Sequence, residues 1–217
     1  MTEKKNKKKY GYLFLVLYVP LYLIMFFLVE RYVPDTAEYW VSYCFLDDYI
    51  PFDERFIVFY WMWYPYMVAI GIFLMLKDIP SFKLYMYFIA LSFTFSIIFC
   101  AVFPNGQDLR PEVFARDNVF TAMVKMIYAA DTNTNVIPSI HVVGSCAGVF
   151  GVLNTKRIKG RFVKTILVLL GIIISISTVF VKQHSVLDIF AGLIVSAAFY
   201  VVVYVIIKKY MSRKQLQ

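Results

Sequence analysis

Six apolar runs constrain this chain more than any other feature. They cover roughly residues 11–29, 56–76, 84–103, 137–153, 162–181 and 186–207. A helix needs about 20 residues, within a range of roughly 17–25, to cross the hydrocarbon core of a bilayer. Lipid offers backbone groups no hydrogen-bonding partner, so each must be satisfied within its own segment, which excludes an open sheet. Five runs reach spanning length comfortably. The fourth is short and begins with polar residues, which implies that its first turn lines a cavity. The expected fold is all-α: a polytopic membrane protein with a six-transmembrane-helix bundle, as one domain over residues 1–217. Composition agrees, because 61% of the residues are hydrophobic and only 17% are charged. Soluble domains carry about 25% charged residues.

The positive-inside rule sets the direction of threading. Five lysines precede the first run, and Lys77 and Lys83 lie between the second and third. Five basic residues from Lys156 to Lys164 separate the fourth and fifth, and four follow the sixth. The opposite side keeps only Arg31, Arg55, Arg110, Arg116, Lys125 and Lys182. Both termini are therefore expected in the cytoplasm, and the net charge of +8 is a matter of topology rather than of nucleic-acid binding. A basic segment before an apolar run also opens a signal peptide. This run is too long for that, and Glu30-Arg31-Tyr32 is a poor cleavage site, so it is read as a retained helix. Cys44, Cys100 and Cys146 show neither metal-type spacing nor a disulfide framework. Tyr60-Trp61-Met62-Trp63-Tyr64 suits an interfacial aromatic belt.

Two long loops face outward, approximately 30–55 and 104–136. The first is acidic and aromatic, with Asp47-Asp48 and Asp53-Glu54. The two histidines, His141 and His184, fall near the outer ends of apolar runs. Ionisable side chains at such depth are costly and tend to be functional. His141 closes the sequence Pro138-Ser139-Ile140-His141. Proline suits a first helical turn, so a helix is expected to begin near Pro138, with free N–H groups that favour a phosphate. Ser139 offers a hydroxyl to a phosphate oxygen, or a plain helix cap. His184 and Asp188 stand four residues apart and share a helix face. A carboxylate there fixes the imidazole tautomer and leaves the other ring nitrogen as nucleophile or base.

P-S-x-H followed by H-x-x-x-D, on six helices, resembles the type 2 phosphatidic acid phosphatase superfamily. The likeness covers approximately residues 103–192. It implies that His184 attacks phosphorus to form a phosphohistidine, that Asp188 orients it, and that His141 is the general acid. Ile140 stands where the family motif has glycine, and Ser177 matches the start of the third motif. Only Arg110 and Pro111 match the first motif; Phe103 and Thr178 stand where the family has lysine and arginine. Arg110, Ser139 and Lys182 are the expected phosphate ligands, with Arg116 and Lys125 as further cations. The sparse cation set also resembles the sphingomyelin and inositol-phosphorylceramide synthase branch. The implied activity is a membrane lipid phosphatase acting on a phosphomonoester or pyrophosphate at the non-cytoplasmic face of a cell membrane. A phospholipid headgroup phosphotransferase and a non-catalytic membrane protein are the alternatives. No metal and no cofactor is expected, and the expected partners are the membrane and a lipid phosphate.

Overall fold

A computed structural model describes residues 11–32 and 38–214 as an all-α bundle. A 3-10 segment, Gly11–Leu17, leads into α1 (Tyr18–Tyr32). Then come α2 (Ile57–Lys77), α3 (Ile79–Val102), α4 (Val119–Ala130), α5 (Ile140–Asn154), α6 (Arg161–Phe180) and α7 (Val186–Tyr200). The last runs through a π-helical segment, Val201–Ile207, into α8 (Lys208–Lys214). Among the described residues five helical stretches are long and apolar enough to cross a membrane: Gly11–Tyr32, Glu54–Lys77, Ile79–Val102, Arg161–Phe180 and Val186–Arg213. The lysines before α1, used to orient the chain, lie outside the described residues.

The fourth run is the 15-residue helix α5. At 1.5 Å per residue it is about 22 Å long, short of the roughly 30 Å hydrocarbon core. Its surroundings explain the shortness. It is packed by α2, α3, α6 and α7, so protein rather than lipid meets most of its surface. Small residues allow that approach. A Cβ at Gly144 would lie 2.7 Å from the Trp63 indole, and one at Gly148 would lie 2.3 Å from the Tyr66 ring.

Three local expectations change. Helix α3 begins at Ile79 rather than at residue 84, because the Asp78 carboxylate accepts the Ser81 N–H at 3.3 Å and Pro80 fits the first turn. Helix α5 begins after Pro138 rather than at it. Ser139 is its N-cap, and the Ile137–Pro138 peptide is cis. The second long loop carries a helix of its own, α4, capped by Asn118, whose side chain accepts the N–H groups of Phe120 and Thr121. Val124 on its inner face packs with Ile57, Tyr60 and Val181. The two long loops are also stitched together. β1 (Trp40–Val41) pairs in parallel with β2 (Asn105–Gly106).

Candidate active site

The site begins with the N-terminus of α7. Ser185 caps it, its hydroxyl accepting the Leu187 N–H at 3.2 Å, while the Asp188 carboxylate accepts the Ser185 N–H at 2.9 Å. This capping box turns Asp188 Oδ2 back toward the preceding residue, and His184 Nδ1 lies 3.1 Å from it. Asp188 is wholly buried, and its other oxygen accepts a hydrogen bond from the Ser42 hydroxyl. Ser42 is held by the strand pair, its N–H donating to the Gly106 carbonyl at 2.7 Å. A second residue of the same loop finishes the helix end. Asp47 accepts the Val186 N–H at 2.8 Å and the Ser185 hydroxyl at 2.6 Å. A carboxylate there satisfies orphan N–H groups and complements the helix dipole.

His141, in the first turn of α5, is positioned differently. Its ring packs at a tilt against Tyr60 at 4.2 Å and Trp63 at 4.7 Å between centroids. It faces His184 at 5.8 Å and 62°. Both histidines are 8% exposed. The Nε2 of His141 is buried and bonds no described group. Thus the two motifs, 43 residues apart in the chain, meet at one point.

That point is one end of a cavity of about 780 Å³, within the roughly 300–1,000 Å³ typical of ligand pockets. The histidine end also holds Tyr60, Gln183, Glu30 and Asp131. From there the cavity runs between α1, α2 and α3 along apolar side chains as far as Val16, Met75 and Phe82. Helix α1 packs on α3, through a 2.9 Å hydrogen bond between the Tyr18 and Thr94 hydroxyls and a 5.0 Å ring contact of Tyr22 with Phe93, and scarcely meets α2. Half-buried Asp131 feels both burial and the charge of Glu30, which push its carboxyl up to about 6 against the pull of His184 and Arg110.

The other expected ligands lie outside the cavity lining. Arg110 donates to the carbonyls of Asp131 and Thr132, both at 2.8 Å, and to Gln183 Oε1 at 2.6 Å, with its guanidinium over the Tyr128 ring. Lys182 is buried and donates to the Asp47 carbonyl at 2.9 Å. Burial pulls its ammonium below the usual lysine value, opposed by Asp47 and Asp48. Ser139 is the cap of α5, its hydroxyl accepting the Val142 N–H at 3.5 Å. Arg116 is paired with Glu54 at 2.8 Å and Lys125 with Asp117 at 3.5 Å. Among the described residues no three His, Cys, Asp or Glu side chains group as metal ligands would.

Sequence reasoning did not single out Ser42, Glu30, Asp131 or Gln183, and it noted Asp47 only as part of an acidic loop. Glu30 carried a usable signal, a carboxylate at the C-terminal end of a spanning run. Ser42 and Asp47 carried none, because only the folded loop brings them to α7.

With this geometry in hand, the family comparison is decisive: the model of the PAP2 superfamily matches residues 83–212. The chain belongs to the PAP2 superfamily. The match contains His141, His184 and Asp188, and it leaves out α1 and α2, which supply two walls of the cavity. Comparisons with curated proteins and with solved structures find no match. PAP2 members are phosphatases, which assigns this chain in general terms to the phosphoric ester hydrolases of membranes.

Proposed function

We propose that this PAP2 protein is a lipid phosphatase working through a phosphohistidine at the outer face of the membrane. The observation that carries the reading is the meeting of His141, His184 and Asp188 at the polar end of a cavity that is otherwise apolar. Asp188 holds Nδ1 of His184 and leaves Nε2 for attack on phosphorus. The bond from phosphorus to the lipid oxygen breaks, and His141 gives its proton to that oxygen. Water then attacks the phosphohistidine as His141 takes its proton; the phosphorus–nitrogen bond breaks, and phosphate leaves. The lipid tail occupies the apolar length of the cavity, reached between α1 and α2. The distribution of Lys and Arg supports the outer-face placement.

Arg110, Lys182 and Ser139 remain the candidate ligands of the nonbridging oxygens, but none of them lines the cavity and each is already bonded to protein. That favours a second reading, headgroup transfer, because a phosphodiester carries one negative charge where a monoester carries nearly two. Product analysis separates the two. Purified protein in mixed micelles is offered phosphatidate, a polyprenyl pyrophosphate and intact phospholipids, with and without a ceramide acceptor. Inorganic phosphate released by wild type and not by His184→Ala is the result expected of a phosphatase. Diacylglycerol release that depends on the acceptor replaces it with the transferase. No product from any of these lipids removes both.

A further inference from the structure

The histidine end of the cavity carries the wrong sign for a bare phosphate. Two carboxylates, Glu30 and Asp131, line it, and no Lys or Arg lines it among the described residues. Neutral side chains donate hydrogen bonds to both. Glu30 accepts from the Thr132 hydroxyl at 2.5 Å and from Asn135 Nδ2 at 2.8 Å. Asp131 accepts from the Tyr60 hydroxyl at 3.4 Å and from Gln183 Nε2 at 3.3 Å. Arg110 lies behind Asp131, bonded to backbone carbonyls and to Gln183, outside the lining. Two like charges close together repel one another, and the Asp131 carboxyl is raised first by burial and then by the charge of Glu30.

Three further features bear on a ligand in the same place. The rings of Tyr60, Trp63 and Tyr64 line the cavity beside the two acids, and aromatic faces attract ammonium groups. His141, 92% buried, has an Nε2 that bonds no described group. Asp131 is within reach of the reacting pair, because its partner Tyr60 packs against His141 and its partner Gln183 adjoins His184.

We propose that Glu30 and Asp131 form an ammonium seat beside the histidine pair, so that the lipid acted on carries an amine within a few atoms of its phosphate. The inference rests on the phosphoryl-transfer reading of the site. The amine belongs either to the headgroup, as in a phosphoethanolamine or phosphocholine lipid, or to the lipid backbone, as in a phosphorylated long-chain amino alcohol. Either source brings its own counter-charge, which accounts for a phosphate site without a lining cation.

The test is binding to full-length His184→Ala, in which turnover is silent, read by tryptophan fluorescence. Three single-chain lipids are titrated: lysophosphatidylethanolamine, a sphingoid-base phosphate and lysophosphatidate, which lacks the amine. At least one amine-bearing lipid is expected to bind about tenfold tighter than lysophosphatidate, and the tighter of the two identifies the source of the amine. Adding Glu30→Gln and Asp131→Asn is expected to reduce the preference to within about twofold. Should that variant fail to fold, Asp131→Asn alone is expected to reduce it in part. Equal or tighter binding of lysophosphatidate, or a preference that survives these substitutions, overturns the seat. The seat and the enzymatic reading fail separately. Wild-type protein that releases phosphate from phosphatidate without amine preference refutes only the seat, and amine-selective binding without turnover of any lipid refutes only the catalysis.

Discussion

The two histidines lie 5.8 Å apart and are equally buried, yet they are held by opposite means. His184 is fixed by hydrogen bonds. Asp188 grips its Nδ1, and Ser42 and Ser185 grip Asp188. His141 is fixed by packing between Tyr60 and Trp63, with an Nε2 that bonds no described group. A nucleophile gains from one enforced tautomer and one aimed nitrogen. A group that gives up and recovers a proton gains from a ring held in place with a nitrogen kept for the substrate. The difference in support thus matches the difference in proposed role.

The largest expected effects fall on the hydrogen-bonded side. His184→Ala and Asp188→Asn should each lower kcat on the order of 10⁴-fold or more, with the fold retained by circular dichroism. A fully active His184→Ala protein would reverse the assignment of the two histidines. His141→Ala should cost about 10²–10⁴-fold, and a substrate with a good leaving group, such as a nitrophenyl phosphate ester, should recover much of that loss. A loss equal for both substrates would assign His141 to binding instead.

The supports themselves come next. Ser42→Ala removes a hydrogen bond to a buried carboxylate, about 1.5–3 kcal/mol, so kcat should fall at least tenfold with substrate affinity unchanged. Gly144→Ala pushes its new methyl against Trp63 and so disturbs the packing under His141. About 1–3 kcal/mol of stability should be lost, measured by thermal unfolding, with a milder effect on turnover than Ser42→Ala. If Gly144→Ala proves the more damaging to turnover, hydrogen bonds are not the more demanding support. Smallest of all, Lys182→Ala should change turnover by less than about threefold if its role is to tie Asp47 to the turn before α7. A loss beyond about 100-fold in kcat/KM, about 2.7 kcal/mol, returns Lys182 to the phosphate.

The same contrast explains what the sequence could tell. Five spanning runs, the short fourth run and the pairing of His184 with Asp188 were legible because each depends on local spacing along a helix. The polar start of the fourth run also foretold that its first turn faces a cavity, and His141 does line one. The early start of α3 was signalled by Asp78-Ile-Pro-Ser81, a cap pattern outweighed by the polar look of Lys77 to Lys83. The cap of α4, Asn118 before an apolar stretch, was readable in the same way. Ser42 on Asp188 and Asp47 on the start of α7 span 146 and 139 residues of chain. Such contacts depend on how two loops fold over the bundle, and no periodicity records them. The commitments of Arg110 and Lys182 to protein carbonyls are likewise properties of the folded loops.

The most direct test of the central claim is to trap the phosphoenzyme. Protein is mixed with a ³²P-labelled lipid substrate, quenched in alkali within milliseconds, and the labelled peptide is mapped. The account predicts an alkali-stable, acid-labile label on His184 that is absent from His184→Ala and persists longer in His141→Ala. Label on any other residue, or phosphate release by His184→Ala at the wild-type rate, contradicts it.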